Sequence, residues 1–334
     1  MAQHSGIAAR VLADYVSARM ILGHERQVRE LRRLLETETL PSALCFEGPW
    51  GIGKATLARA FAAEALALTA AQQRAPLAEH PDVWHFQPSA ERPRLKIADI
   101  REQLLPFLRQ APFVGKRACV LLEDADTYLG FDQPALANVL LKSLEEPRAG
   151  VHFLLTTSCP ERLLDTVRSR TQSIAFAALP SSVLGPLAET HGWPPWTTAL
   201  ASGSPGLAQR LCEHGDAITD MVGATLTALL GRLPSLTLGE RAAALESDHW
   251  LGACQLGARV ALAWSQRQTS GAQAVAEALH SAAPGLVPLL DALRTRGGDG
   301  ACRDLAEAWL NWEALADTTL NRRLRLAADL EALR

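Results

Sequence analysis

Seven consecutive residues, Gly48-Pro49-Trp50-Gly51-Ile52-Gly53-Lys54, have the spacing GxxxxGK of a loop that cradles phosphate. Glycines there let the backbone fold so that several N–H groups face one anion, and a helix starting at the loop adds its positive end. Lys54 would reach the β- and γ-phosphates of a nucleotide. The next position normally supplies a hydroxyl to magnesium. Here it is Ala55, and Thr56 comes one residue late, useful only if the helix start is shifted. A glycine-rich strand–helix turn with a surface lysine is the competing reading. A strand before the loop, a helix after it and a second motif downstream weigh against it.

That second motif is Val120-Leu121-Leu122-Glu123-Asp124-Ala125-Asp126, an apolar run ending in acids. Carboxylates at such a strand end can orient a metal ion and polarise a water. An exposed acidic turn that caps the next helix is the alternative. By residue type and place alone, Arg170 reads as an exposed arginine before a strand.

Around these residues the first half alternates short apolar runs with helical spacing. The runs are Ala43–Glu47, Asp82–Phe86, Ala118–Leu122 and Val151–Thr156. The helical stretches are Glu25–Leu35, Ala55–Thr69, Ile97–Arg109 and Leu136–Leu144. Strand–helix–strand order with continuous apolar strands predicts an α/β fold built on a parallel sheet. Leu179-Pro180 reads as a boundary. A small helical segment follows, with the turn Gly203-Ser204-Pro205-Gly206, and the chain is then helical to its end. Breaks fall at Gly231–Pro234, Ser270-Gly271, Pro284-Gly285 and Gly297–Gly300. The expected domains are 1–178, a helical segment at 179–215 and an all-α domain at 216–334. Trp250, Trp264, Trp309 and Trp312 in the last are either core or interface anchors.

The 334 residues suffice for two or three domains, and 48% apolar residues supply a sizeable core. A net charge of −3 excludes a protein that coats nucleic acid on its own, though not a subunit that touches DNA within a larger assembly. Six cysteines lie no closer than 40 residues apart, with no CxxC pair, so no zinc site built on thiolates is expected. Cys45 and Cys119 read as small buried hydrophobes. His80 and His85 read as ordinary loop or strand histidines. The N-terminus lacks the apolar core of a signal peptide, and no run of 18 apolar residues occurs. A reduced, cytoplasmic setting without membrane contact is expected.

Residues 20–178 resemble the delta-prime family of subunits of the bacterial DNA polymerase III clamp loader, which are AAA+ P-loop proteins. The resemblance is carried by Gly23-His24-Glu25, Gly48–Ala58, His80-Pro81-Asp82, Ala137–Pro147 (ANVLLKSLEEP) and Leu163–Thr171 (LLDTVRSRT). Of these, ANVLLKSLEEP is the most discriminating. Leu320–Leu324 resembles a motif of the family's last helix more weakly. The family's four-cysteine zinc module is absent, the cysteine of its SRC motif is Thr171, and Gly206 stands where active subunits place an arginine. In AAA+ proteins the strand-end acids run Asp then Glu. Here Glu123 and Asp124 reverse that order.

The resemblance implies a AAA+ P-loop domain, a helical lid and an all-α collar that holds an oligomeric ring. It implies partnership with delta and gamma/tau subunits, and with the sliding clamp and primed DNA through the assembled complex. ATP or ADP, with magnesium, would sit at Gly48–Thr56. The degenerate acidic pair predicts weak or absent hydrolysis, and Arg170 becomes an arginine finger acting in a neighbour's site. Two alternatives remain: a working AAA+ ATPase of gamma/tau type, and an unrelated P-loop protein with a helical oligomerisation tail.

Overall fold

A computed structural model describes residues 23–313, apart from 70–71, 73–74, 90–91, 93–94, 132–133, 231–237, 239–240, 243–246 and 267–269. Contacts divide the chain into two units, 1–178 and 179–334.

The first unit is organised by five parallel strands: β1 (Ala43–Glu47), β2 (Val83–Phe86), β3 (Ala118–Leu122), β4 (Val151–Thr157) and β5 (Gln172–Ala175). Their order across the sheet is β2-β3-β4-β1-β5. Strand periodicity divides the core in two. Ala43 and Cys45, Val120 and Leu122, and Phe153 and Leu155 face one side. Leu44 and Phe46, Cys119 and Leu121, and Leu154 face the other. Helices cover both sides. α1 (Glu25–Glu36) and α2 (Lys54–Ala65) bring Leu31, Leu57 and Phe61 to one core. α3 (Ile97–Arg109) and α4 (Pro134–Glu145) bring Ile100, Leu104, Leu136 and Leu140 to the other. This is the α/β AAA+ arrangement the sequence implies, with helices on both faces of a parallel sheet. Cys45 and Cys119 are buried in it, and burial pushes the Cys119 thiol up to about 12.

Two helices depart from expectation. α2 ends at Ala65 rather than near Thr69, because Ala67 adopts a left-handed conformation at φ 55°. The N–H groups of Leu68 and Ala67 then close on the carbonyls of Ala63 and Glu64. α3 starts as Ile97–Asp99, widens into a π turn at Ile100–Leu104 and resumes as Leu105–Arg109. Pro106 lacks the N–H that a regular helix would send to Glu102, which accounts for the widened turn. A short α5 (Asp165–Arg168) precedes β5.

The second unit is helical among the described residues: α6 (Ser181–His191), α7 (Pro195–Ala201), α8 (Pro205–Leu229), α9 (Ser247–Ser265), α10 (Ser270–Ala282) and α11 (Leu286–Glu313). The 215/216 boundary drawn from sequence falls inside α8, just past His214, whose backbone leaves the helical range. α10 starts at Ser270, and α11 bends at Gly298 within the Gly297–Gly300 cluster. Trp264, Trp309 and Trp312 are core. Trp264 donates to Asp291 at 3.1 Å, and the Trp309 and Trp312 rings meet edge to face at 5.2 Å. Gly257 has no side chain because a Cβ would fall 2.4 Å from the Trp309 ring. The Trp250 side chain, Gly231–Pro234 and Leu320–Leu324 lie outside the described residues.

Candidate functional site

The Gly48–Lys54 loop joins β1 to α2, and its glycines are required by its path. Gly48 has φ +149°, and a Cβ there would stand 2.3 Å from the Phe176 carbonyl oxygen. Gly51 and Gly53 adopt φ 73° and 99°, a region that L side chains disfavour. Ile52 is buried, and its carbonyl accepts a 2.7 Å hydrogen bond from His24 Nε2. His24 itself is 3% exposed and packs edge-on against Phe176, with ring centroids 4.9 Å apart. Burial holds its pKa below the ordinary histidine value, so the ring stays neutral and Nε2 carries the proton. The histidine of the Gly23-His24-Glu25 motif therefore supports the loop from beneath. Its spacing in sequence gave no sign of that role.

Lys54 opens α2 and is buried despite its charge. Its Nζ donates to the carbonyls of Gly48 and Pro49, both at 2.8 Å, and to Ser158 Oγ at 3.2 Å. Ser158 directly follows β4 and was not a sequence candidate. Its N–H donates to Asp126 Oδ1 at 3.2 Å, so the ends of β3 and β4 meet under the lysine. Trp50, Ala55 and Thr56 are half-buried at the loop and the first turn of α2.

Glu123 lies where β3 ends, 4% exposed. One of its oxygens, Oε1, accepts from Arg59 Nη1 at 2.7 Å and from His85 Nε2 at 2.8 Å. Arg59 comes from α2 and His85 from β2, so three elements converge on one carboxylate. Asp124 is different. It adopts a left-handed backbone at φ 49°, and its N–H is held by Thr156 Oγ1 at 3.0 Å. Its carbonyl, rather than its carboxylate, receives Thr127 and starts the 3-10 turn Ala125–Thr127. The acidic end does not fit a magnesium ion held in the usual way. Position 55 has no hydroxyl, and one of the two Glu123 oxygens is committed to two protein donors.

Arg170 stands between α5 and β5, apart from this cluster in its hydrogen bonding. Its Nη1 donates to the Thr166 carbonyl at 2.7 Å and to Ser169 Oγ at 3.2 Å, and its Nη2 to the Glu145 carboxylate. Arg168 instead lies 3.6 Å from Asp165. The remaining motif residues have structural positions. Asp82 is buried and accepts the N–H groups of Phe113 and Val114, the latter at 2.8 Å. His80 Nδ1 accepts from the Asp82 N–H at 3.1 Å. Buried Ser204 caps α8 by accepting from the Leu207 N–H at 3.2 Å, and Gly206 is the second residue of that helix. Among the described residues no three His, Cys, Asp or Glu side chains converge as a metal site requires.

Sheet order, glycine loop and acidic strand end together define a AAA+-type domain whose metal-binding half is incomplete. The sequence model of the family described as DNA polymerase III, delta subunit, matches residues 23–180. The DNA polymerase III subunit delta' of Pseudomonas aeruginosa is 33% identical over 196 residues, which is 52% of this chain and 56% of the relative. The subunit delta' of Bacillus subtilis is 28% identical over 55% of this chain and 57% of its own length. A solved gamma subunit-related protein of Thermotoga maritima is 18% identical with a TM-score of 0.40, covering 91% of this chain and 99% of its own. Residues 23–180 are thus similar to the delta' subunits of DNA polymerase III. It spans little more than half the length of the curated relatives it matches.

Proposed function

We propose that this chain works as a delta-prime-type subunit of the replicative clamp loader, helping to place the sliding clamp on primed DNA. Its partners are delta and gamma/tau subunits in the cytoplasm, with clamp and DNA engaged through the assembled complex. Residues 179–215 act as a lid and 216–334 as the collar that holds the assembly. Gly48–Thr56 and Lys54 offer a cradle for the phosphates of ATP or ADP. Hydrolysis there is weak or absent, and Arg170 serves as a finger in the ATP site of a neighbouring subunit. A guanidinium in that place stabilises charge on the transferring phosphoryl group.

The observation that carries the non-hydrolysing reading is the double engagement of Glu123 by Arg59 and His85. Oε1 so held is not available to magnesium without surrendering the ion pair to Arg59. The test is steady-state ATP hydrolysis by the isolated chain, then by the reconstituted complex. Turnover by the chain alone stays at background and is unchanged by Lys54→Ala. In the complex, Arg170→Ala lowers clamp- and DNA-stimulated hydrolysis by roughly 10³-fold. Robust turnover by the chain alone, lost on Lys54→Ala, would instead establish the gamma/tau-like motor. Undiminished hydrolysis by the Arg170→Ala complex would remove the finger role.

A further inference from the structure

α4 ends in two adjacent carboxylates, Glu145 and Glu146, followed by Pro147. Acids at a helix C-terminus oppose the partial negative charge of its unpaired carbonyls. A residue that breaks a local rule in this way is commonly kept for something outside its own helix. For Glu145 that partner is Arg170, whose Nη2 donates to its carboxylate. The same guanidinium is held from its other side by the Thr166 carbonyl and Ser169 Oγ, at 2.7 and 3.2 Å. Its Nε is buried and has no hydrogen-bond partner among the described residues.

We propose that Glu145 is a positioning residue for Arg170. It sets the guanidinium in advance, so that the free donor edge is presented to an anionic phosphoryl group on a neighbouring subunit. The proposal rests on the finger reading of Arg170. Three bonds to Thr166, Ser169 and Glu145 use three of the five N–H donors of the guanidinium, leaving Nη2 a second N–H. The arginine side chain is 30% exposed, so it is not sealed off from a partner. Glu145 is 46% exposed, so water screens its charge and the carboxylate does not cancel the cation. Its contribution is order: a long side chain that is already placed surrenders less freedom when phosphate arrives.

The experiment uses the reconstituted loader with clamp and primed DNA, measuring kcat and KM for ATP with Glu145→Ala, Glu145→Gln and Arg170→Ala. A misplaced reacting group can cost about 100-fold in rate, so a partly disordered one should cost roughly 5–10-fold. Glu145→Ala is therefore expected to lower kcat by about that factor with KM unchanged. Glu145→Gln, which keeps an acceptor oxygen, should recover kcat to within about 2-fold of the parent. Wild-type kcat in Glu145→Ala beside a large loss in Arg170→Ala would overturn the positioning role and leave the finger standing. A rise in kcat would overturn it in favour of a restraining carboxylate. Lowered melting temperature and impaired assembly in both Glu145 variants would overturn it in favour of a purely structural pair. Unchanged hydrolysis in Arg170→Ala would remove the finger and the positioning role together.

Discussion

Glu123 is the residue where sequence and structure diverge most in meaning. By type and place it is a metal carboxylate, yet in the fold it is the acceptor of a buried charged cluster. Removing one partner from a buried pair leaves an uncompensated charge, which costs about 3–5 kcal/mol when burial is complete. Arg59 is partly exposed and His85 remains, so Arg59→Met should destabilise the chain by roughly 2 kcal/mol. Adding Glu123→Gln removes the stranded charge and should restore a good part of that loss. Urea denaturation of the two single variants and the double variant measures the coupling. Additive losses would show that the pair is not the source of the stability. The commitment of Glu123 was not legible in the sequence. Its donors lie 64 and 38 residues away, and only the sheet order brings them to one oxygen.

At the scale of elements, the strands buried on both faces were the easiest to read. β1 and β3 coincide with the apolar runs Ala43–Glu47 and Ala118–Leu122, because a central parallel strand needs apolar residues on both sides. β5 offers less, since only Ile174 of its four residues is buried. The end of α2 was misread for a definite reason. A helix closed by a left-handed residue usually announces it with glycine, and here that residue is Ala67. An L residue in that conformation costs about 1–2 kcal/mol, while glycine adds roughly 0.5–1 kcal/mol of unfolded-chain entropy. Ala67→Gly should therefore stabilise the first unit by about 0.5–1 kcal/mol, a rise of roughly 2 °C in melting temperature. A lower melting temperature would mean that the turn is not strained as its backbone angle indicates.

For the molecule as a whole, the division into two units predicts an uneven response to acid. Burial lowers the pKa of His24, beneath the glycine loop, and of His152, which hydrogen-bonds the Pro41 carbonyl from β4. Both belong to the first unit. A histidine whose folded pKa lies below its unfolded value of 6.5 is held neutral by the fold. Its contribution is complete above pH 6.5 and is lost as the pH falls from there through the folded value, because the unfolded chain then binds the extra proton. Two such groups steepen the loss by at most about 2.7 kcal/mol per pH unit. Hydrogen exchange, corrected for the intrinsic rate at each pH, can follow the two units separately. Between pH 7.5 and 5.5, peptides from 43–65 and 118–157 should lose protection more than those from α9 and α11. His24→Asn, which keeps a donor for the Ile52 carbonyl but does not titrate, should flatten the response around the loop. Equal loss in both units, or an unchanged response in that variant, would place the acid sensitivity elsewhere than in the histidine that carries the glycine loop.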